Sequence, residues 1–350
     1  MARLGTAGTR RLAVVGCGAV AEVLHFPALK RNRLGDLAAV VDPDGNRARH
    51  WASQLGVPRV CADHRELLDL GVDGAIVTAP TPVHCEIGVD LLRAGIHVLL
   101  EKPMARSTEE CDALVAAAEE GVATLGVSMP RRFYHQCHFA KQAIDSGMLG
   151  EVRSFDVRDG YAFSWPLKTD FPFRKESAGG GVLLDLGVHT LDLLLWWLGD
   201  LEVVEYRDND RGGVESDALA RLATPGGGEG TVEFSWTRRL RNTVIVEGER
   251  GTMEVALTSG RVRLSPAAGS EELLGTVSRQ ALDKGFDQRP LDLTAATQRD
   301  WWNAVLGEGR PAVSGLEGRR AVSLVRACYD VREPLHLPWM EALACEELVR

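Results

Sequence analysis

Apolar and polar positions in the first third of the chain follow two alternating patterns. Short apolar runs typical of buried strands occur at Leu12–Val15, Leu37–Val41, Gly74–Thr78, His97–Leu100 and Thr124–Val127. Apolar residues at helical spacing between them predict helices over Asn46–Leu55, Val83–Ala94 and Thr108–Glu120. Strands that alternate with helices in this way form parallel sheets of βαβ units. We therefore predict a doubly wound α/β domain over residues 11–127, preceded by a tail of residues 1–10.

After Gly150 the pattern changes to strands separated by turns. Strands are predicted at Glu151–Arg158, Leu201–Arg207, Ala218–Ala223, Thr231–Trp236, Asn242–Glu247 and Thr252–Leu257. The glycine-containing loops Pro225–Gly228 and Gly248–Gly251 are typical of hairpins, which join antiparallel strands. Helices are predicted at Val182–Leu198, Leu293–Leu306 and Gly318–Tyr329. Residues 128–350 are thus expected to form an α+β domain with a mostly antiparallel, open sheet.

Composition narrows the class of protein. The 350 residues carry a formal net charge of -9 and no run of Lys or Arg, so a small polar substrate fits better than a nucleic acid. The N-terminus lacks the apolar core of a signal peptide, and Asp, Gly or His interrupts the longest apolar stretches. We therefore expect a cytoplasmic protein that does not bind membranes. The seven cysteines form no CxxC pair and are expected to be reduced, and His135, Cys137 and His138 lack a second ligand group, so no metal site is predicted.

The first predicted strand leads directly into Gly16–Ala21, a G-x-G-x-x-A turn that opens a helical pattern. Gly16 permits a tight turn, and Gly18 lets the backbone approach a pyrophosphate. The phosphates would then lie at the helix N-terminus, next to Ala19 and Val20. This arrangement predicts a Rossmann dinucleotide-binding domain.

The next predicted strand ends at Asp42, where a carboxylate would accept hydrogen bonds from an adenosine ribose. Its charge would repel a 2′-phosphate, which favours NAD as the cofactor. Arg47 on the following helix could meet a 2′-phosphate and leaves NADP open. The alternative is a glycine turn with an aspartate at the end of a strand and no dinucleotide.

The predicted helix over Val182–Leu198 is apolar except at Asp185, His189, Thr190 and Asp192. At about 100° per residue, His189 lies about 40° and Asp192 about -20° around the helix from Asp185, so the three form one polar stripe. Such a stripe on an otherwise apolar helix must face a polar cavity or a partner. One interpretation is an acid and base in an active site, and the other is a buried histidine satisfied by an aspartate. Asp192, one turn deeper, is expected to brace the helix.

A further turn, Glu101-Lys102-Pro103, follows the fourth apolar run, at the sheet edge where α/β proteins bind ligands. With this turn, the chain resembles the glucose-fructose oxidoreductase, inositol dehydrogenase and rhizopine-catabolism (Gfo/Idh/MocA) family. The segments that carry the resemblance are the glycine turn, Val41–Pro43, Thr78–His84, Ala94–Pro103, Arg131–Phe133, Ser146–Val152 and Gly179–His189. They cover most of the chain, and the resemblance implies a Rossmann domain that binds NAD followed by a substrate domain.

The resemblance also implies roles for individual residues. Lys102 would lie between the nicotinamide and the substrate, where it can hydrogen-bond the reacting oxygen. A lysine that ends a strand is otherwise commonly a surface residue. Asp185 and His189 would belong to the active site. The cofactor site would include, besides the glycine turn, Asp42 and Lys102, the residues Thr78, Pro80, His84 and Glu101.

Substrate contacts are indicated by weaker patterns. The resemblance assigns Arg131, with Arg132 beside it, to the substrate, but the residues on either side depart from the family pattern and leave the substrate open. Aromatic side chains before the glycine triplet and at Trp236 are suited to stack on sugar rings, although packing is their commoner role. We assign Arg174 and Trp236 to the pocket.

These features together predict hydride transfer between nicotinamide and a secondary alcohol or ketone of a sugar, nucleotide sugar or cyclitol. His189 would take the hydroxyl proton, Lys102 would hold the oxygen, and Asp185 would orient His189 or bind a neighbouring hydroxyl. A non-catalytic NAD-bound sensor is an alternative, but the presence of Lys102, Asp185 and His189 together favours an enzyme, because a sensor needs only the binding surface. A redox-neutral enzyme that retains NAD is a second alternative, which the sequence does not separate from a dehydrogenase. A sheet covered by helices on one face also predicts a homodimer or homotetramer through the other face.

Overall fold

The computed structural model describes residues 10–267 and 289–336 of the chain. These residues form two compact units. The first unit comprises residues 10–134, 166–171 and 289–322, and the second comprises residues 135–165, 172–267 and 323–336. The predicted division into residues 11–127 and 128–350 therefore misses the return of residues 289–322 to the first unit.

The predicted strands and helices are present in the predicted order, and the structure adds further short elements between them. Up to residue 134 they are β1 (Arg11–Val15), α1 (Phe26–Asn32), β2 (Asp36–Val41), α2 (Gly45–Leu55), β3 (Arg59–Cys61), β4 (Gly74–Val77), α3 (His84–Arg93), β5 (His97–Glu101), α4 (Thr108–Glu120) and β6 (Leu125–Ser128). They continue with α5 (His135–Asp145), β7 (Val152–Gly160), α6 (Lys175–Ala178), α7 (Val188–Leu198), β8 (Glu202–Asp208), β9 (Asp217–Ala223), β10 (Glu229–Ser235), β11 (Thr243–Gly248), β12 (Gly251–Ala256), β13 (Val262–Pro266), α8 (Pro290–Val305), α9 (Gly315–Asp330) and β14 (Arg332–Pro334). Two π-helical turns, Ala21–His25 and Leu183–Gly187, directly precede α1 and α7.

A six-stranded parallel sheet forms the centre of the first unit, with the strand order β3-β2-β1-β4-β5-β6. The order reverses between β1 and β4, which is the position where doubly wound sheets open a crevice for ligands beyond the carboxyl ends of their strands. The predicted Rossmann domain is confirmed. The three-residue strand β3 was not predicted, because so short a segment carries too little apolar pattern.

Helix α8 belongs to the core of the first unit, although it lies more than 150 residues further along the chain. The indole rings of Trp301 and Trp302 are buried in one apolar cluster with Leu12 and Val14 of β1. Apolar periodicity predicts that such a helix must be buried, but it does not identify the sheet against which the helix packs.

The second unit is built on an eight-stranded sheet with the order β13-β12-β11-β7-β10-β9-β8-β14. β10 pairs with β7 and β14 pairs with β8 in parallel, and the other neighbours are antiparallel. The two predicted hairpins are present as β9–β10 and β11–β12. The prediction of a mostly antiparallel sheet is therefore confirmed, while β13 and β14 were not predicted.

The two faces of this sheet differ in chemistry. One face is apolar and buried, with side chains such as Phe155, Val157, Val232, Phe234, Val244 and Val246. The turn Leu183–Gly187 packs against β7 and β10, and α5 packs against β12 and α7. The opposite face carries alternating charges, among them Arg158 with its neighbours Asp156 at 3.2 Å and Glu233 at 3.8 Å. The open face of the described sheet is thus polar.

One helical stretch, Lys175–Leu198, is long and apolar enough to cross a membrane by composition alone, among the described residues. Most of the apolar part of this stretch is buried inside the structure, as in the core helix of a globular protein.

Candidate active site

The glycine turn after β1 is held at the carboxyl edge of the first sheet. Gly16 has a φ of +95°, and a Cβ there would lie 2.6 Å from the backbone nitrogen of Ala79, so both the conformation and the space require glycine. The N–H of Gly16 donates to the carbonyl oxygen of Val41 at 2.8 Å, and the hydroxyl of Thr78 donates to the carbonyl oxygen of Gly16 at 2.6 Å. The turn is thereby fixed to the ends of β2 and β4.

The surroundings of Gly18 fit a bound dinucleotide. A Cβ built at Gly18 meets nothing within 4 Å, so the turn offers open space at the point where a pyrophosphate must approach the backbone. Ala19 and Val20 begin the helix that follows and are half-buried. A helix N-terminus of this kind favours the negative charge of phosphate groups.

The buried carboxylate of Asp42 lies beside this turn. It accepts hydrogen bonds from the N–H of Cys17 at 2.8 Å and from the N–H of Asp44 at 2.8 Å, one on each oxygen. Each carboxylate oxygen has two lone pairs. The oxygen that faces Asp44 can therefore still accept from a ribose hydroxyl, whereas the oxygen that faces Cys17 also accepts from the guanidinium of Arg47. The guanidinium of Arg47 lies 3.4 Å from Asp42 and 3.5 Å from Asp44. The residues at this edge therefore fit an adenosine ribose, with a cation next to the carboxylate.

His84 joins two loops at the same edge of the sheet. Its ring nitrogens lie 2.8 Å from the carbonyl oxygen of Ala79 and 3.1 Å from that of Pro103. Burial lowers the pKa of His84, and the two carbonyl oxygens act in the opposite direction. Because both nitrogens face the backbone, His84 ties the turn after β4 to the Glu101-Lys102-Pro103 turn. Pro80, in the first of these loops, is exposed.

The end of β5 presents Glu101 and Lys102. Glu101 is buried and accepts a hydrogen bond from the backbone N–H of Lys102 at 3.0 Å, whereas the side chain of Lys102 is half-exposed. Burial opposes the ionisation of Glu101, but a hydrogen bond from His25 and the charge of Lys102 outweigh it and hold the pKa of this carboxyl below its ordinary value. The sequence reasoning did not identify His25, although a histidine in the apolar stretch before Phe26 was a visible signal.

In the second unit, the long helix exposes two polar side chains. From Val182 to Leu195 only Asp185 and His189 are half-exposed, and every other residue is buried. The π-helical turn Leu183–Gly187 changes the angular spacing, so the 100° rule does not apply within it. Asp185 and His189 nevertheless both remain partly exposed, and Asp192 is buried as a deeper residue.

The start of this helix is fixed by Glu215, a buried residue that the sequence reasoning missed. One carboxylate oxygen accepts from the N–H of Gly181 at 2.8 Å, and the other accepts from the N–H of Leu183 at 3.0 Å and from the hydroxyl of Tyr329 at 2.6 Å. A Cβ at Gly180 would collide with the Tyr329 hydroxyl, and a Cβ at Gly181 would collide with the Glu215 backbone. The glycine triplet thus allows the helix to begin directly against this pair.

Aromatic side chains gather at the ends of β7 and β10 in the second unit. The rings of Phe163 and Trp236 meet edge to face, with 5.2 Å between their centroids. The ring centroid of Phe173 lies 5.2 Å from that of Phe163 and 6.1 Å from that of Trp236. The hydroxyl of Thr190, next to His189, donates to Asp159 at the end of β7 at 2.8 Å. The aromatic cluster and the first turn of α7, which carries His189 and Thr190, therefore occur at the same edge of this sheet.

The predicted arginines differ in their surroundings. Arg131 is half-buried in the short 3-10 turn Pro130–Phe133 of the first unit, whereas Arg132 is buried and donates to the carbonyl oxygen of Ala312 at 3.0 Å. Arg174 is exposed at the start of α6 in the second unit. Among the described residues, no three His, Cys, Asp or Glu side chains are grouped to hold a metal ion.

Comparisons with known proteins agree with this geometry. A family profile described as an oxidoreductase family with an NAD-binding Rossmann fold matches residues 10–129, and the GFO/IDH/MocA C-terminal domain matches residues 138–254. The dTDP-3,4-didehydro-2,6-dideoxy-alpha-D-glucose 3-reductase of Actinomadura kijaniata is 28% identical over 335 residues, which cover 94% of this chain and 97% of the relative. The 1,5-anhydro-D-fructose reductase of Ensifer adhaerens is 25% identical over 319 residues, which cover 88% and 92%.

A solved structure of levoglucosan dehydrogenase in complex with NADH has the same fold, with a TM-score of 0.81 and 18% identity over 92% of this chain and 96% of that one. The two family profiles together span more than half of the chain. The chain therefore belongs to the Gfo/Idh/MocA family of NAD-binding oxidoreductases.

Proposed function

We propose that this enzyme oxidises a secondary alcohol, or reduces the corresponding ketone, on a sugar, nucleotide sugar or cyclitol. The relatives that cover nearly the whole chain include reductases named for a dTDP-sugar and for an anhydro sugar. The observation that carries the proposal is the pair Asp185 and His189, which are the half-exposed positions on a helix that is otherwise buried from Val182 to Leu195.

His189 is the proton acceptor in the direction of alcohol oxidation. Bound NAD supplies a carbon that accepts hydride. A neutral imidazole can take the hydroxyl proton as the hydride leaves, while the ammonium of Lys102 donates a hydrogen bond to the same oxygen and stabilises its developing negative charge. Asp185 orients the imidazole or binds a neighbouring hydroxyl. In the direction of reduction, His189 returns the proton.

The cofactor residues follow from the edge of the first sheet. Gly16 and Gly18 form the floor of the phosphate site with Ala19 and Val20, and Asp42 accepts from the adenosine ribose. Thr78, Pro80, Glu101 and Lys102 complete the cofactor side of the site. Since both nitrogens of His84 face backbone carbonyls, we assign His84 to positioning these loops.

Arg131, Arg174 and Trp236 are proposed to contact the substrate. The aromatic cluster around Trp236 would stack on the apolar face of a sugar or cyclitol ring.

The protein is proposed to be a cytoplasmic homodimer or homotetramer. The cysteines among the described residues form no disulfide, as in a reducing compartment. The polar open face of the eight-stranded sheet is the surface that we assign to the contact between subunits.

His189→Ala tests the proposal, in a panel of sugars, nucleotide sugars and cyclitols followed by absorbance of reduced nicotinamide. We expect turnover to fall by about 10² to 10⁴-fold with little change in NAD affinity, because a positioned general base is lost. In the wild type the rate of alcohol oxidation should rise with pH as His189 loses its proton, and this rise should be absent in His189→Ala. Lys102→Ala should also lower turnover, and Asp185→Asn should have an intermediate effect.

His138→Ala is the matched control, since His138 is exposed on α5 of the same unit. If His189 only stabilises the core, His189→Ala should have a lower melting temperature while its folded fraction remains fully active. That result would reject the assignment of His189 as the proton acceptor. A sensor would bind NAD without turnover of any compound. A redox-neutral enzyme would yield product, seen by mass spectrometry, with no net change in reduced nicotinamide.

A further inference from the structure

Three polar side chains from distant parts of the chain meet inside the first unit, behind the Glu101-Lys102-Pro103 turn. The imidazole of His25 lies 2.7 Å from a carboxylate oxygen of Glu101, and the side-chain amide of Gln298 on α8 lies 3.2 Å from the other ring nitrogen. His25 and Gln298 are fully buried, and Glu101 is 8% exposed. Buried polar groups of this kind are costly unless each is satisfied.

The hydrogen bonds fix where the proton on His25 resides. The amide oxygen of Gln298 accepts from the side chain of Asn32 at 3.2 Å, so its nitrogen is the end that faces His25. An amide nitrogen only donates, which makes Nδ1 of His25 the acceptor and places the ring proton on Nε2. That proton is therefore donated to Glu101.

Glu101 in turn is directly connected to Lys102. Its second oxygen accepts from the backbone N–H of Lys102 at 3.0 Å. The titratable groups that act on this carboxylate are His25, Lys102 and His84, and the side chain of Ser128 also hydrogen-bonds it. We propose that Gln298 and His25 are positioning residues that keep Glu101 ionised and oriented, and that this carboxylate keeps Lys102 in its ammonium form. The functional consequence rests on the proposed role of Lys102.

Loss of the His25 donor has a defined electrostatic result. A buried carboxylate without its donor is disfavoured by burial, so the pKa of Glu101 should rise. A neutral carboxyl no longer favours a cation next to it, so Lys102 should lose its proton at lower pH.

The test compares His25→Leu, which removes the donor, with His25→Gln, which retains a side-chain N–H. The readout is the pH at which Lys102 becomes reactive toward an acylating reagent in the cofactor-free protein, measured by mass spectrometry with the exposed Lys30 as internal reference. We expect the onset at Lys102 to move to lower pH by about one unit or more in His25→Leu and to stay near the wild-type value in His25→Gln. Gln298→Leu, which leaves Nδ1 unpaired and the tautomer free, should show a smaller shift in the same direction.

Turnover separates this inference from the proposed function. If Lys102 acts on the substrate oxygen, the alkaline limb of the rate profile should shift with the labelling, and kcat should fall by up to about 10²-fold while KM changes less. If the labelling of Lys102 shifts in His25→Leu but the Lys102→Ala enzyme turns over as fast as the wild type, the catalytic role of Lys102 is rejected and the network is retained. Unchanged labelling of Lys102 in both His25→Leu and Gln298→Leu would overturn the network, whatever their activity.

Discussion

At the scale of single residues, we expect the contrast between Asp42 and Arg47 to decide which dinucleotide the turn prefers. In the proposed site the carboxylate of Asp42 accepts from the adenosine ribose, and the guanidinium of Arg47 lies 3.4 Å from this carboxylate. In Asp42→Arg, a charge that repels a 2′-phosphate is replaced by one that attracts it, next to a second cation. Since a hydrogen bond to a charged group contributes about 1.5 to 3 kcal/mol, we expect NAD affinity to fall and NADP affinity to rise, each by about 10- to 100-fold.

Fluorescence titration of both cofactors measures this change in preference. Asp42→Asn is the matched variant, because it removes the charge but keeps an acceptor for the N–H of Cys17. Adding Arg47→Ala to Asp42→Arg should reduce the gain in NADP affinity. Unchanged affinity for both cofactors in Asp42→Arg would remove Asp42 from the site.

The residues that the sequence could predict are those whose signal is local. Gly16 and Gly18 stand in a turn directly after a strand, and Asp185 and His189 stand out on an apolar helix. His25 and Glu215 were missed because their partners are far away in sequence, 273 residues in the case of His25 and Gln298. A pattern within a short window carries no information about such pairs, which form only when the helices pack.

At the scale of elements, the helix that carries His189 depends on a cap from outside itself. The backbone N–H groups at a helix start need acceptors, and Glu215 supplies two of them. Burial raises the pKa of Glu215 from its ordinary value of 4.5, against the lowering effect of the hydrogen bonds from Tyr329, Leu183 and Gly181. The cap therefore carries a proton more readily in the folded protein than in the unfolded chain.

This shift predicts a pH-dependent stability. Because the folded state binds the proton more tightly, stability from this group is present below pH 4.5 and is lost as the pH rises through the folded-state value. In Glu215→Gln the titration is absent, and an amide nitrogen faces one of the helix N–H groups, at a cost of about 1 to 3 kcal/mol. The difference in melting temperature between wild type and variant should thus be largest in acid and decrease toward neutral pH.

Thermal unfolding followed by circular dichroism across acidic and neutral pH provides the measurement. Glu202→Gln serves as the control, since Glu202 is exposed at the start of β8. A difference between wild type and Glu215→Gln that stays constant with pH would show that the carboxyl does not titrate in this range.

The elements themselves were largely predictable, and the exceptions have physical causes. Apolar runs of four or more residues identified β1, β2, β4, β5 and β6, whereas the three-residue strands β3 and β14 were too short to stand out. The π-helical turn Leu183–Gly187 has no sequence pattern that separates it from an α-helix, so the predicted angles around Asp185 were not those of the structure.

At the scale of the whole molecule, the open face of the eight-stranded sheet is where we expect a second copy to bind. The face is polar, but it contains a concavity of about 320 Å³, whose lining includes Ser154, Asp156, Arg158, Arg241, Ile245 and Glu247. Ile245 lies in this face opposite Asp156 on β7 and Glu254 on β12. An apolar side chain within a charged face is suited to the centre of an interface with a polar rim.

Ile245→Arg tests this surface. It should not destabilise the isolated subunit, because the new cation would lie beside Asp156 and Glu254. In a symmetric contact each subunit would bury the new arginine in the interface. The loss of hydration and the repulsion between like charges should then dissociate the subunits. Light scattering at micromolar concentration should show a dimer or tetramer for the wild type and a lower mass for Ile245→Arg. Leu68→Arg, on an exposed position of the first unit, should retain the wild-type mass. A monomeric wild type would contradict the assembly, and an Ile245→Arg protein of unchanged mass would place the contact on another face.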